Sequence, residues 1–221
     1  PKERLYPDVY FKTEDELRLF TNQFYNNLVP SAVDIYSESS DLIVKSDLML
    51  EMSGQRIIPD EGNGWNFTAL RDINFYLQYS HNCTEVNARN RYDGVARFFR
   101  AYFYFEKVKR YGDIPWYDKA LDSDDPELYK ARDSREFVMQ KMLEDLDFAI
   151  ANLPKTKNAY VLTRWTALAL KSRVCLFEGT FRKYHGLEDC EKYLNACVSA
   201  SETFMNESGY TLYKSGSTPY R

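Results

Sequence analysis

At 221 residues, with 44% apolar and 28% charged side chains, the chain can bury a sizeable core and does not have the composition of a disordered segment. A formal charge of −4 argues against nucleic acid as a partner, and no apolar run reaches the roughly 20 residues of a membrane span. The unusual total is aromatic: 18 Tyr and 14 Phe, which either fill a core or present rings to a ligand.

Pro1 to Lys12 reads as extended, with a turn at Tyr6-Pro7. Thr13 with Glu16 three positions on makes a capping box, and Leu17, Phe20, Phe24 and Leu28 follow at helical steps. A first helix is therefore predicted over Glu14–Leu28, stopping before Pro30. Ser31 to Trp65 is irregular, with Gly54, Pro59, Gly62, Gly64 and a short apolar run from Leu48 to Met52. Long loops retained in compact domains are often functional. A second helix is predicted from Asn66 to Tyr79, with Leu70, Ile73 and Leu77 on its buried stripe.

The densest pattern lies between Arg89 and Pro115. Val95, Phe98, Phe99, Tyr102, Phe103, Phe105 and Val108 recur at three- and four-residue steps, and Tyr104 and Tyr111 carry the apolar surface round the cylinder. A helix apolar over most of its circumference is central, with neighbours on several sides. Its start falls between Thr84 and Asn90. Lys107, Lys109 and Arg110 beside the negative end of the dipole, then Gly112 and Pro115, mark its end.

Trp116 to Asp133 is a polar, acidic connection. Ser134 caps a fourth helix, with Phe137 where a complete capping box would carry Glu. Val138, Met142, Leu146, Ile150 and Leu153 form its stripe, Lys141, Glu144, Asp145 and Asp147 are assigned to water, and Pro154 ends it. Thr163 opens a fifth helix in which Ala167 and Ala169 allow a close neighbour and Gly179 is the stop. A sixth helix is predicted over about Leu187 to Asn206, with Tyr193, Leu194, Cys197 and Phe204 apolar. The tail from Thr211 has no stripe. The reading is all-α: antiparallel helix pairs joined by turns and two longer loops, without a strict 34-residue repeat.

Residues for chemistry are few. His81 and His185 cannot build a three-histidine metal site, and HExxH, GxSxG, P-loop and GxGxxG motifs are absent. Asp122 to Asp125 lacks EF-hand spacing, so solvated surface outweighs calcium there. Cys83, Cys175, Cys190 and Cys197 have no CxxC spacing, and Cys190 and Cys197, about 10 Å apart on one helix, cannot bond to each other. Trp65 carries more information. It ends the glycine-rich loop beside Asn63 and Asn66, and a ring beside amides is a platform for a sugar. The competing reading staples Trp65 to the core at the start of the second helix. Trp116 and Trp165 are assigned to packing.

Ala96-Arg97-Phe98-Phe99-Arg100-Ala101-Tyr102-Phe103-Tyr104-Phe105, followed by Arg110-Tyr111-Gly112-Asp113-Ile114-Pro115, resembles the signature helix and turn of SusD/RagB-like proteins. Arg132-Asp133-Ser134 leading to Met142–Ala149, Leu153-Pro154, Thr163-Arg164 leading to Ala167–Leu176, and Trp65 with Leu70, Ile73 and Asn74 match further segments in order. The resemblance covers Thr13 to Tyr213. It implies a TPR-like right-handed α-α superhelix. It also implies a non-catalytic protein without metal or cofactor, lipid-anchored on the outward face of a Bacteroidetes outer membrane. There such proteins capture glycan, or in some members peptide, for a SusC-like TonB-dependent transporter. No nucleic-acid partner is implied.

Family members are longer, so residues 1–221 are read as one helical domain lacking the family's second half and its anchoring N-terminal cysteine. By position, the resemblance places ligand-binding candidates in the loop before the second helix: Arg56, Asp60, Asn63 and Trp65. Two other readings compete with glycan capture. One is a helical-repeat adaptor binding peptide or protein only; the other is a helical glycoside hydrolase, motivated only by abundant carboxylates.

Overall fold

A computed structural model describes residues 9–30, 50–57 and 64–212. Six long helices form among them, and no strand does. They are α1 (Glu14–Leu28), α2 (Thr68–Tyr79), α3 (Val86–Tyr111), α4 (Arg135–Asn152), α5 (Arg164–Tyr184) and α6 (Cys190–Glu207). A helical turn at Leu50–Ser53 and 3-10 turns at Ser80–Asn82 and Pro126–Tyr129 lie between them.

Local chemistry sets most of the ends. The Thr13 hydroxyl accepts from the Glu16 amide, and the Glu16 carboxylate accepts from the Thr13 amide, which completes the box at α1. At α2 the Asn66 side chain accepts from the Thr68 amide at 2.8 Å, so Asn66 sits outside the helix that it was predicted to begin. Ser134 caps α4 by accepting from the Phe137 amide. Gly112 ends α3 at φ +70°, a conformation that costs a side-chain-bearing residue about 1–2 kcal/mol.

Further expectations are corrected. Gly179 does not stop α5, which continues to Tyr184. The glycine is there because α6 crosses at that point: a Cβ would lie 2.7 Å from Leu194. α6 begins at Cys190, because the Leu187 amide is already used in closing the end of α5 onto the Arg182 carbonyl. The described part of the first segment is curled rather than extended. Phe11 takes φ +67°, and its fully buried ring meets Tyr10, Phe20, Phe75 and Tyr76 at centroid distances of 4.8–6.1 Å. Edge-to-face contacts of this kind add to the burial of the ring and offset the backbone strain.

α3 is the central element, packed by α1 and α2 and by α4; α4 contacts α5, and α5 contacts α6. Phe98, Phe99, Phe103, Tyr104, Phe105 and Val108 are all buried, each worth about 1.5–3 kcal/mol relative to exposure. Ala167 is fully buried at a helix contact, whereas Ala169 faces water, since two residues turn a helix by about 200°. Asp145, assigned to water from its stripe, is buried. Its carboxylate accepts two hydrogen bonds of 2.7 Å from Arg100 on α3. Glu178 of α5 is likewise buried and held by Arg135 and Arg182 at 2.8 Å each. No helix of the described residues is long and apolar enough to cross a membrane.

Candidate functional site

A cavity of about 630 Å³ opens between the start of α2 and the connection 113–133. Its volume suits a small-molecule ligand. Trp65, Phe67, Leu70, Arg71 and Asp72 line one side; Tyr117, Lys119, Lys130 and Arg132 are on the other.

The connection is fastened at its neck. The Ile114 amide donates to the Asp133 carbonyl at 3.1 Å, and the Trp116 amide donates to the Asp133 carboxylate at 2.7 Å. Its first residues are fixed against α3. The Tyr117 amide donates to the Tyr104 hydroxyl at 2.6 Å, that hydroxyl donates to the Pro115 carbonyl at 3.2 Å, and the Trp116 ring stacks on Tyr104 at 4.2 Å. Burial pushes the Tyr104 hydroxyl above the ordinary tyrosine range, so it keeps its proton.

A buried polar chain then links α4 to the cavity wall. Asp145 accepts from Arg100, Arg100 donates to the Asn74 side-chain oxygen at 3.2 Å, and the Asn74 amide donates to the Tyr117 carbonyl at 2.8 Å. Burial alone would depress the Arg100 guanidinium; the Asp145 hydrogen bonds outweigh it and hold the group above its usual value. Three helices thereby position the loop that forms half of the cavity.

The opposite wall is aromatic and partly wet. Trp65 is 42% exposed, with its ring edge-on to Tyr111 at 4.9 Å and to Phe67 at 5.4 Å. The Arg132 guanidinium lies 4.9 Å from the Trp65 centroid. Lys107 donates to the Gly64 carbonyl just before the ring. Asp72 is half-buried in the lining, which raises its carboxyl above the usual range while the neighbouring Arg71 pulls it back.

Of the residues singled out from sequence, Trp65 lies on this cavity. Arg56 is exposed after the Leu50–Ser53 turn and is not part of the lining; Asp60 and Asn63 lie outside the described residues. Trp116, by contrast, is buried beneath the wall, as its packing assignment requires. Arg71, Asn74, Lys119, Lys130 and Arg132 were missed as site residues. Asn74 and Arg132 belong to segments that carried the family resemblance, which was the available signal. The histidines take local roles: His81 contacts the Gln78 carbonyl and His185 stacks on Phe181 at 4.1 Å. Among the described residues no group of three His, Cys, Asp or Glu side chains gathers to hold a metal. All four cysteines are free, and burial pushes the Cys175 thiol up to about 12.

The fold is thus a stack of helix pairs, with an aromatic cavity rimmed by hydrogen-bonding side chains beside the connection that follows α3. Residues 23–164, more than half of the chain, match the SusD-like family described as "Starch-binding associating with outer membrane". The protein belongs to that family. A SusD-like protein of Formosa agariphila is 29% identical over 87 residues, 39% of this chain and 17% of the relative.

Solved structures agree in fold. A SusD-like protein from Bacteroides fragilis superposes with a TM-score of 0.67 at 22% identity, covering 93% of this chain and 40% of that one. A SusD homolog from Bacteroides thetaiotaomicron gives 0.68 at 18% identity, covering 95% and 44%. A structure solved with a xylogluco-oligosaccharide gives 0.55 at 21% identity, covering 66% and 29%. The TPR-like all-α fold is thus shared, and the chain spans under half the length of each of these relatives.

Proposed function

We propose that the protein is a non-catalytic binding protein that holds an oligosaccharide or polysaccharide in the cavity beside Trp65. Family membership supports the ligand class, and the xylogluco-oligosaccharide bound by one structural relative is a precedent within this fold. The observation that carries the reading is the state of Trp65. Its neighbours fix the ring, yet it remains 42% exposed at the mouth of a 630 Å³ cavity rimmed by hydrogen-bonding side chains. A sugar places its apolar face on such a ring and its hydroxyls on the rim.

In the cell, the reading places the protein on the outward face of an outer membrane as a lipoprotein. There it delivers glycan to a SusC-like TonB-dependent transporter. Calorimetric titration against a glycan panel tests the binding step. Saturable binding of at least one glycan, weakened in Trp65→Ala, is the expected result. Failure of every glycan, together with retention of a peptide or a transporter partner, would favour the helical-repeat adaptor instead. Co-purification with a transporter tests the delivery step separately.

A further inference from the structure

We infer that the glycan taken by this cavity is anionic, bearing carboxylate or sulfate groups received by Arg71 and Arg132. The inference rests on the glycan reading above and narrows it to a substrate class.

The first observation is a local excess of cations. In a chain of net charge −4, the described residues of the lining include Arg71, Lys119, Lys130 and Arg132 against a single acid, Asp72. These four cations are not equivalent. Lys119 is neutralised by Glu127 at 2.9 Å and Asp125 at 3.6 Å, and Lys130 by Asp133 at 2.9 Å. Those two lysines brace the loop. Among the described residues, no carboxylate lies within ion-pair distance of Arg71 or Arg132. Arg71 makes one long bond, from Nε to the Leu121 carbonyl at 3.4 Å, which leaves its terminal nitrogens uncommitted. Arg132 lies over Trp65, and both arginines are exposed. Two guanidinium forks, one on α2 and one on the connection, therefore border the same cavity as the candidate stacking ring.

Donor–acceptor balance gives the second argument. Every sugar hydroxyl both donates and accepts, so a site for a neutral glycan needs acceptors as well as donors. Arg and Lys only donate. Among the described residues, Asp72 is the sole side-chain carboxylate in the lining. A uronate or sulfate ester reverses the requirement: it is rich in acceptors, and a guanidinium binds it through two parallel hydrogen bonds. Positive charge is also crowded behind the ring. Lys107, which grips the Gly64 carbonyl, is held below the ordinary lysine range by burial and then by the nearby Arg110.

The test uses matched pairs on the full chain: oligogalacturonate against its carboxyl-reduced form, and a sulfated galactan oligosaccharide against its desulfated form. Titrations are run at low and at physiological salt. The charged member of at least one pair should bind about tenfold or more tighter than its neutral partner at low salt, with the gap narrowing as salt screens it. Which pair responds tells carboxylate from sulfate. Arg71→Gln and Arg132→Gln should each cut affinity for the charged member about tenfold, with melting temperatures unchanged because both side chains are exposed. Equal or tighter binding of the neutral members overturns the charge inference and leaves the glycan reading standing. Binding of neither member of either pair, while unrelated neutral glycans bind, does the same. Silence toward all glycans removes both.

Discussion

Two aromatic clusters flank the connection between α3 and α4, and they differ in access to water. Around Trp116, the ring stacks on Tyr104, Arg100 lies 5.2 Å from its centroid, and the carbonyls above are taken by Tyr104 and Asn74. Around Trp65, the ring also meets a tyrosine and an arginine, at 4.9 Å each, but remains 42% exposed. The same residue types thus build a sealed support in one place and an open wall in the other. The arginines mark the difference: Arg100 is matched to Asp145, and Arg132 has no carboxylate partner among the described residues. Pairing turns a cation into structure; an unpaired cation beside an exposed ring is available to a ligand.

Asp145→Ala tests the sealed side most severely. It strands Arg100 in the interior, and chemical denaturation should register a loss of about 3–5 kcal/mol. A loss under about 1 kcal/mol would mean that the chain from Asp145 to the cavity wall is not what holds the wall in place. Tyr104→Phe is the milder probe of the same region. It unpairs the Tyr117 amide and the Pro115 carbonyl, for about 1–3 kcal/mol by the same measurement.

On the open side the effects should separate. Trp65→Ala should weaken glycan affinity by about 1 kcal/mol or more by calorimetry, while stability moves within about 0.5 kcal/mol. If stability falls as far as for Tyr104→Phe and affinity does not change, Trp65 is a staple and the contrast collapses.

The smallest effect concerns pH. Burial raises the Asp93 carboxyl on α3, so the folded state holds that proton more tightly than the unfolded chain does. Its contribution to stability is full below the unfolded carboxyl range, about pH 4, and is lost as pH rises through the folded value. Asp93→Asn should therefore flatten that slope and raise the melting temperature at neutral pH, as followed by thermal denaturation.

Much of the scaffold was legible because its signals are local. Thr13 with Glu16, Ser134, Thr163 and Gly112 fix helix ends through bonds within a few residues, and the α3 periodicity identified the central helix directly. Gly179 misled because a glycine admitted for a crossing helix looks, in one dimension, the same as a stop. Asp145 misled because its partner is 45 positions away. The cavity was only partly legible for a related reason. Trp65 announces itself by type and position, but Arg71 and Arg132 gain meaning only when α2 and the connection face each other. Before that they are two surface arginines among 29 basic residues.

The pinched neck of the connection has an evolutionary corollary. Because Ile114 and Trp116 are clasped to Asp133, and the Arg135 amide is bound to the Asp113 carboxylate at 2.8 Å, the two helices on either side do not sense how much chain lies beyond the clasp. Doubling such a loop costs only about 0.6 kcal/mol in closure entropy. The stretch around Asp122 can therefore lengthen, shorten or be recoded as an exchangeable cassette. Ligand preference could then diverge between related proteins while the helical frame stays constant.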